Sequence, residues 1–592
     1  VLSKNTRCRD GAGKTGSEKS RVFLLIFLVS CLAFSVYAGT LTHELVWDDK
    51  GVLGYVDSIT GREGFPALFT SPFATHEEEG YVSGYYRPVS MWSLWLDSFY
   101  VRIFRYQYHL VNILLHVLNT ILVFLLIRIF GRTFAAFAGA AVFAVHPVHT
   151  ESVAFVSGRT DLLAAFFVLL SVIFWKRVRG GEATRLTLEK LLSLGTFLFA
   201  CLSKEVAYLL PGVLLFSDVL LRPGDSEEGE GWWRRNRFWI LGWMAVLVPI
   251  GAVRLSLFGP GMGLIQSDVV AVSPAAPSSA ITYLWQILLM YGRLLILPWP
   301  LRVYYSPHEL AVTWVTLLAV PGLAALFFFI ARRGQKKQAL FAAIWILIFL
   351  LPALMPDQRG GALLAERFLY LPSVGFCLMA GTFAGTWPGK RGILAGGLCL
   401  VVAIMAIGTI HQNRVWKDEI SLFKEHKRVS PLSPQGYYNL GTVLAEQGRH
   451  LDAVTEFQSA IRVDPRGYEA FFNMGNSFLE LGRFRDAARS YRAVLRSRPG
   501  FAPAMINLGV AYMADGELER SIRTLEDGLR LYPDNLQMNA GLVVALLSKG
   551  DRAAAENHHR MLETRNPGLA ELIGEILGEN STGKEAVPEQ NP

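Results

Sequence analysis

Metal and redox chemistry have little to work with in this sequence. Its 592 residues include five cysteines, Cys8, Cys31, Cys201, Cys377 and Cys399. Four lie in or beside apolar runs and no two have ligand spacing, so neither a disulfide framework nor a zinc site is indicated. Charge is also scarce. Charged residues make up 18% of the chain and hydrophobic residues 52%, whereas soluble chains average about 25% charged. The deficit is uneven. Residues 21–411 are apolar runs parted by short polar loops, and residues 412–592 have a soluble composition. Acidic residues are outnumbered by basic ones, for a formal charge of +8. The excess sits in short loops between apolar runs, a pattern of topology signals rather than of a nucleic-acid patch. A nucleotide-binding loop is missing too. DGAGKTG (10–16) imitates one, but its first glycine would fall on Cys8, with no strand before it and no nucleotide domain after it.

The chain is therefore read as a membrane domain followed by a water-facing one. A bilayer core of ~30 Å takes roughly 20 apolar residues per helix. Runs of that kind lie near 21–39, 109–130, 160–177, 190–203, 206–221, 238–257, 312–331, 339–356, 367–386 and 392–411, with a shorter one at 134–146. The run 21–39 follows a basic arm (1–20) and shows no persuasive cleavage site, so a retained span is expected. The stretch 281–298 carries Gln286, Tyr291 and Arg293 and is expected not to cross fully. With Lys and Arg loops placed inside, about eleven spans result. Every unusual polar cluster then falls on the non-cytoplasmic face, as do the large loop 40–107 and everything after 411.

The soluble part repeats itself. Gly448, Gly482, Gly516 and Gly550 recur every 34 residues, as do Pro465, Pro499 and Pro533. That period marks tetratricopeptide helix hairpins, about four of them over 434–569, after a linker at 412–433. A polar tail from 570 is expected to be disordered. Such arrays stack into a curved surface that binds peptides. Asn439, Asn473 and Asn507 share one repeat position and are the candidate acceptor contacts.

The outer face gathers the groups that could carry chemistry. Asp48 and Asp49 stand side by side in LVWDDKGVL (45–53). A carboxylate near low dielectric with a second acid beside it has a raised proton affinity, as a general base requires. GYYRPVSMW (84–92) adds Arg87, and HPVHTESVAFVSGRTD (146–161) adds His146, His149, Glu151, Arg159 and Asp161. Arg159 and Asp161 could simply pair with each other. The two histidines and glutamate match no strong metal motif, and Pro147 breaks their spacing. CLSKEVAYLLPG (201–212) supplies Lys204 and Glu205, LRVYYSPHEL (301–310) supplies Tyr304, and LAERFLYLPSVGF (364–376) supplies Glu366 and Arg367. Together these offer cations for a phosphate, apolar walls for a lipid tail, polar walls for a sugar and a base for an acceptor.

The blocks WDDKGVL, YYRPVS, HPVHTESVAFVSGRTDLLA, LSKEVAYLLPGVLLFSDVLL and AERFLYLPSVGF, in that order ahead of the repeats, resemble the TMTC family of transmembrane and tetratricopeptide-repeat O-mannosyltransferases. The resemblance implies an all-α protein, a polytopic GT-C-type transmembrane domain followed by a tetratricopeptide solenoid. It implies an inverting transferase that moves mannose or a similar sugar from a polyprenyl-phosphate donor to Ser or Thr of an exported protein. It carries the base role onto Asp48 or Asp49. The donor's phosphate and sugar then fall to Arg87, His146, His149, Glu151, Arg159, Asp161, Lys204, Glu205, Tyr304, Glu366 and Arg367. The lipid-linked sugar is the cosubstrate, no metal ligand is assigned, and metal dependence stays open. The short array suggests a bacterial inner-membrane member with its repeats outside, or in the endoplasmic reticulum lumen for a eukaryotic one. Two other readings stand beside this one: a non-catalytic membrane-anchored scaffold, and a transferase acting on glycolipid or polymer.

Overall fold

The computed structural model describes residues 6–58, 66–70, 75–76, 81–82, 85–101, 106–180, 186–220, 232–258, 277–303, 305, 313–354, 364–566, 568–571 and 573–574. Tyr304 and the tail beyond 574 lie outside the described residues. The chain divides into two compact units, 1–430 and 431–592.

The first unit opens with α1 (Thr6–Tyr37), so the basic arm expected ahead of the first span is helical from Thr6. The stretch 40–107 holds α2 (Asp48–Ser58), the single turn α3 (Ala67–Thr70), a two-residue antiparallel ribbon pairing Thr75–His76 with Tyr81–Val82, and α4 (Pro88–Val101). Then come α5 (Gln107–Phe130), α6 (Thr133–Val145), the short α7 (Thr150–Ala154), α8 (Arg159–Gly180), α9 (Leu186–Ser203), α10 (Leu210–Leu220), α11 (Trp232–Phe258), α12 (Pro277–Ile296), α13 (Trp314–Ile330), α14 (Lys336–Leu354), α15 (Pro372–Thr386), α16 (Arg391–Asn413) and α17 (Glu419–Val429). Among the described residues six helices are long and apolar enough to cross a membrane, or seven if α6 and the bent 147–154 segment count as one span. One of the six, Trp314–Leu354, has 41 residues, about 60 Å of helix against a core of ~30 Å. It breaks at Arg333 and at Gly334, whose φ of 79° is left-handed, into α13 and α14.

Close packing follows from small residues. At Gly139 of α6 an added Cβ would lie 2.5 Å from the Cys377 carbonyl oxygen of α15, and at Gly381 of α15 one would lie 2.4 Å from the Ala135 carbonyl oxygen. In lipid, where apolar burial drives association weakly, such approach supplies the dispersion contact that holds helices together.

A stripe of polar residues runs down the apolar α5. Asn112, His116 and Asn119 share one face at helical spacing and all are buried. Asn112 Nδ2 donates to the Val153, Phe155 and Val156 carbonyls, and Asn119 Nδ2 to the Leu162 carbonyl and the Tyr370 hydroxyl. His116 bonds the Tyr370 hydroxyl at 2.9 Å and the Ala144 carbonyl at 3.2 Å. Asn112 and His116 thereby bond backbone carbonyls at the breaks after α6 and α7, and Asn119 bonds one in the first turn of α8. Without them, irregular backbone inside apolar surroundings costs several kcal/mol per group, on the order given by transfer data.

The segment expected as a linker is not one until residue 431. Leu422 and Phe423 of α17 are buried in the first unit, and Glu419 bonds the start of α2 through the Trp47 N–H and the Lys50 ammonium. The second unit is eight helices in four hairpins: α18 (Pro434–Glu446), α19 (His450–Val463), α20 (Tyr468–Glu480), α21 (Phe484–Ser497), α22 (Ala502–Ala514), α23 (Leu518–Leu531), α24 (Leu536–Lys549) and α25 (Arg552–Arg565). Gly448, Gly482, Gly516 and Gly550 all have positive φ, the left-handed conformation that turns each first helix into its partner. Inside the first three hairpins a glycine of the first helix faces a bulky side chain of the second. The pairs are Gly441 with Phe457, Gly475 with Tyr491 and Gly509 with Leu525.

Candidate functional site

Asp48 and Asp49 begin α2, just after Trp47, whose φ of 55° is left-handed. The Trp47 N–H donates to Glu419 Oε1 (3.1 Å) and its ring stacks on Phe155. Within the helix the two neighbouring side chains point about 100° apart and meet opposite fates. Asp49 is fully buried. Its Oδ1 accepts from the Ser157 N–H and hydroxyl, both at 2.7 Å, and its Oδ2 from the Val156 N–H (3.2 Å) and the Val46 N–H (3.4 Å). Burial pushes its carboxyl up to about 7 against the pull of those donors. The tight turn beneath it depends on Gly158, where a Cβ would lie 2.6 Å from the Ser152 carbonyl oxygen. Asp49 therefore clamps the start of α2 to the turn that leads into α8. Asp48 is exposed, and it lies close enough to Arg367 to help hold that guanidinium charged.

Around Asp48 and Arg367 a set of ion pairs converges from five separate segments. Arg87, just before α4, forks onto Glu205 with bonds of 2.8 Å and 3.1 Å to Oε2. Arg254 of α11 reaches the other oxygen of the same carboxylate at 3.2 Å and the Tyr208 hydroxyl at 3.4 Å. Burial alone would raise Glu205, yet Arg87 and Arg254 hold its carboxyl below the usual range. Lys204 Nζ sits 2.6 Å from both Asp161 oxygens. Arg367 pairs with Glu151 at 3.1 Å, and its backbone N–H donates to the same carboxylate at 2.9 Å. Burial works against the Arg367 charge, and Glu151, Asp161 and Asp48 outweigh it. Four cations and four acids thus share one end of the helices.

Glu366 lies beneath that cluster and is 2% exposed. It accepts from the Tyr305 hydroxyl (2.8 Å) and the Arg302 N–H, and burial together with nearby Glu151 pushes it up to about 8. It holds Arg302 and Tyr305, between α12 and α13, in place.

Three residues expected to meet a donor are buried and bonded within the fold. Arg159 is wholly buried and donates to Asn112 Oδ1 (2.9 Å), Asp97 Oδ2 (2.6 Å), the Tyr108 carbonyl (2.8 Å) and Ser93. Its partner is Asp97 rather than Asp161. His146 bonds the Leu295 carbonyl (3.0 Å) and accepts from the Val148 N–H. His149 bonds the Phe143 carbonyl (2.9 Å) and the Ser373 hydroxyl (2.8 Å). Both rings are buried in the helix core, where their nitrogens tie bends together. No group of His, Cys, Asp and Glu suited to a metal ion occurs among the described residues.

Arg254 and Tyr208 were missing from the sequence reading. The signal for Arg254 was available: a lone arginine near the end of an otherwise apolar run is costly unless it is paired. In the second unit Asn473 donates to the Tyr438 hydroxyl (3.1 Å) and Asn507 to Asn476 (2.9 Å). Both asparagines brace one repeat against the next. Asn439 is half-buried on the first helix of the first hairpin.

The tetratricopeptide repeat family matches residues 438–480 and 472–535. Over most of its length the chain is similar to proteins named protein O-mannosyl-transferases. It is 28% identical to Tmtc1 of Drosophila melanogaster, covering 72% of this chain and 60% of that one. It is 26% identical to TMTC1 of Homo sapiens (72% and 53%) and 27% identical to F38B6.6 of Caenorhabditis elegans (75% and 64%). The chain therefore spans between 53% and 64% of the length of these three relatives. Among solved structures, MamA of Desulfovibrio magneticus RS-1 is 23% identical, over 30% of this chain and 97% of that one, with a TM-score of 0.24.

Proposed function

From this kinship with the TMTC protein O-mannosyl-transferases, we propose that the chain is an inverting membrane glycosyltransferase of GT-C type. It moves mannose or a similar sugar from a polyprenyl-phosphate donor to a Ser or Thr hydroxyl of an exported protein held by the repeats. The observation that carries the reading is the exposed carboxylate of Asp48 beside a cluster of arginines and a lysine at one end of the helices.

In this reading Asp48 is the base and Asp49 its positioning residue. Asp48 takes the proton from the acceptor hydroxyl, the hydroxyl oxygen bonds to the anomeric carbon, and the bond from that carbon to the phosphate oxygen breaks. One displacement inverts the centre. The departing lipid phosphate gains negative charge, and Arg87, Arg254 and Arg367 stabilise it as planar, weakly hydrated cations do best. Glu205 keeps Arg87 and Arg254 oriented before the donor arrives. The test is transfer of radiolabelled mannose from polyprenyl-phosphate mannose to an exported acceptor, run beside GDP-mannose. Label should enter protein from the lipid donor alone and vanish with Asp48→Asn. Label from GDP-mannose without lipid, or full transfer by the variant, would remove the assignment.

A further inference from the structure

The helices that carry the ion-paired cluster at one end gather a second, different set of groups at the other. α5 starts beside Arg159 and ends at Phe130, 24 residues or about 36 Å away. α15 starts just after Arg367 and ends at Thr386. Where α5 turns into α6, α13 turns into α14 and α15 stops, these elements enclose a cavity of about 410 Å³. Its lining includes Arg132, Arg333, Gln335, Thr386 and Trp387. That size suits a small polar group rather than a flat contact.

The charges at the two ends behave differently. At the ion-paired end Arg87 and Arg254 have Glu205, Lys204 has Asp161, Arg367 has Glu151 and Arg159 has Asp97. In the cavity Arg132 and Arg333 pair with no carboxylate among the described residues. They come from two turns 201 positions apart in sequence (333 − 132) and line one concavity. The Arg333 guanidinium carbon also lies over the Phe329 ring, 5.2 Å from its centroid. Exposed apolar side chains occur on the same elements: Trp387 of the lining is 38% exposed, Ile129, next to the lining residue Phe130, is 46% exposed, and Phe328, near the end of α13, is 60% exposed. Basic loops at one end of a membrane protein also set its topology, but topology needs only charge in a loop, not convergence of two guanidiniums on a shared cavity with a greasy rim.

We infer that this cavity binds the headgroup phosphate of an anionic membrane phospholipid. Arg132 and Arg333 take the phosphate, and the acyl chains lie along the exposed apolar rim. Two unpaired arginines supply the geometry that planar donors offer a phosphate, and tryptophan at such a rim is suited to the membrane interface. The cavity would act as a lipid contact at the end of the helices away from the proposed chemistry.

The test uses the purified full chain, delipidated in detergent and titrated with phosphatidylglycerol or phosphatidylcholine, with bound lipid read by native mass spectrometry. Phosphatidylglycerol should be retained in preference to phosphatidylcholine. Arg132→Gln/Arg333→Gln should weaken its binding roughly thirty-fold, about fivefold for each cation removed. Arg332→Gln/Lys336→Gln removes the same charge from exposed neighbours outside the cavity and should leave retention within about twofold of wild type. If the double variant does not fold, Arg132→Gln alone should show the fivefold loss. Equal retention of phosphatidylcholine, unchanged binding in the cavity variants or an equal loss in the control pair would overturn the inference. Displacement of the lipid by inorganic phosphate at millimolar concentration would do so too, since it would mark a site for soluble anions.

Discussion

Asp48 and Asp49 should separate cleanly in experiment, because the fold gives adjacent, identical residues different work. Asp49→Asn keeps one acceptor oxygen, which can serve Ser157, but turns an NH2 group toward the Val46 and Val156 N–H groups. Two hydrogen bonds are lost and two buried donors are left facing a donor. At about 1–3 kcal/mol for each unsatisfied group, the cost is about 2–6 kcal/mol of stability. Asp48 is exposed, so Asp48→Asn should change stability by less than about 1 kcal/mol, chiefly through the helix dipole. Loss of a general base should nevertheless slow turnover by about 10²–10⁴-fold, or about 3–5 kcal/mol on the barrier. The assay pairs a thermal unfolding midpoint in detergent with the initial rate of mannose transfer from the lipid donor. Asp48→Asn should be stable and inactive, whereas Asp49→Asn should unfold at a clearly lower temperature. If Asp49→Asn melts with the wild type, or Asp48→Asn turns over at the wild-type rate, the division of labour is refuted.

Three further outcomes follow from the same geometry. Arg254→Gln should raise KM for the lipid donor at least tenfold while Arg254→Lys recovers part of it, read from initial rates against donor concentration; an unchanged KM would remove Arg254 from the phosphate site. Asp97→Asn should cost about 3–5 kcal/mol of stability, seen as a lowered unfolding midpoint, because it strands the buried Arg159 guanidinium. Asp49 also sets a pH dependence. Its carboxyl holds a proton more tightly folded than unfolded, so its contribution to stability is greatest below about pH 4 and declines as pH rises to about 7. Glu366, whose carboxyl burial also raises, to about 8, adds a decline of the same sign, so unfolding midpoints between pH 4 and pH 8 should fall less steeply in Asp49→Asn than in the wild type.

Some of the site was legible because the chemistry of single residues forces it. An arginine, lysine or acid at the mouth of an apolar run must find a counter-charge, and Arg87, Lys204, Glu205, Glu151, Asp161 and Arg367 all do so in one place. The partners were not legible. Arg159 and Asp161 are two residues apart and read as a pair, yet on a helix they point in different directions and take Asp97 and Lys204. The histidines of HPVHTE were expected beside the donor's phosphate and sugar, as the family resemblance implies. What they answer is a need of the backbone, the carbonyls of Leu295 and Phe143 at bends in the chain. The matching signal, Asn112, His116 and Asn119 at helical spacing within an apolar run, was present in the sequence and went unused.

By itself the sequence determined the two-part plan, apolar helices followed by a repeat array, because hydrophobic runs and a 34-residue period are local properties that no tertiary contact can reassign. It also determined which ionisable residues would be too costly to leave alone. Only the tertiary structure decided which carboxylate of the neighbouring pair is clamped and which is open. That choice depends on where the Val156 and Ser157 N–H groups lie, over a hundred residues away, since adjacent helical side chains point about 100° apart and only one of the two can face them.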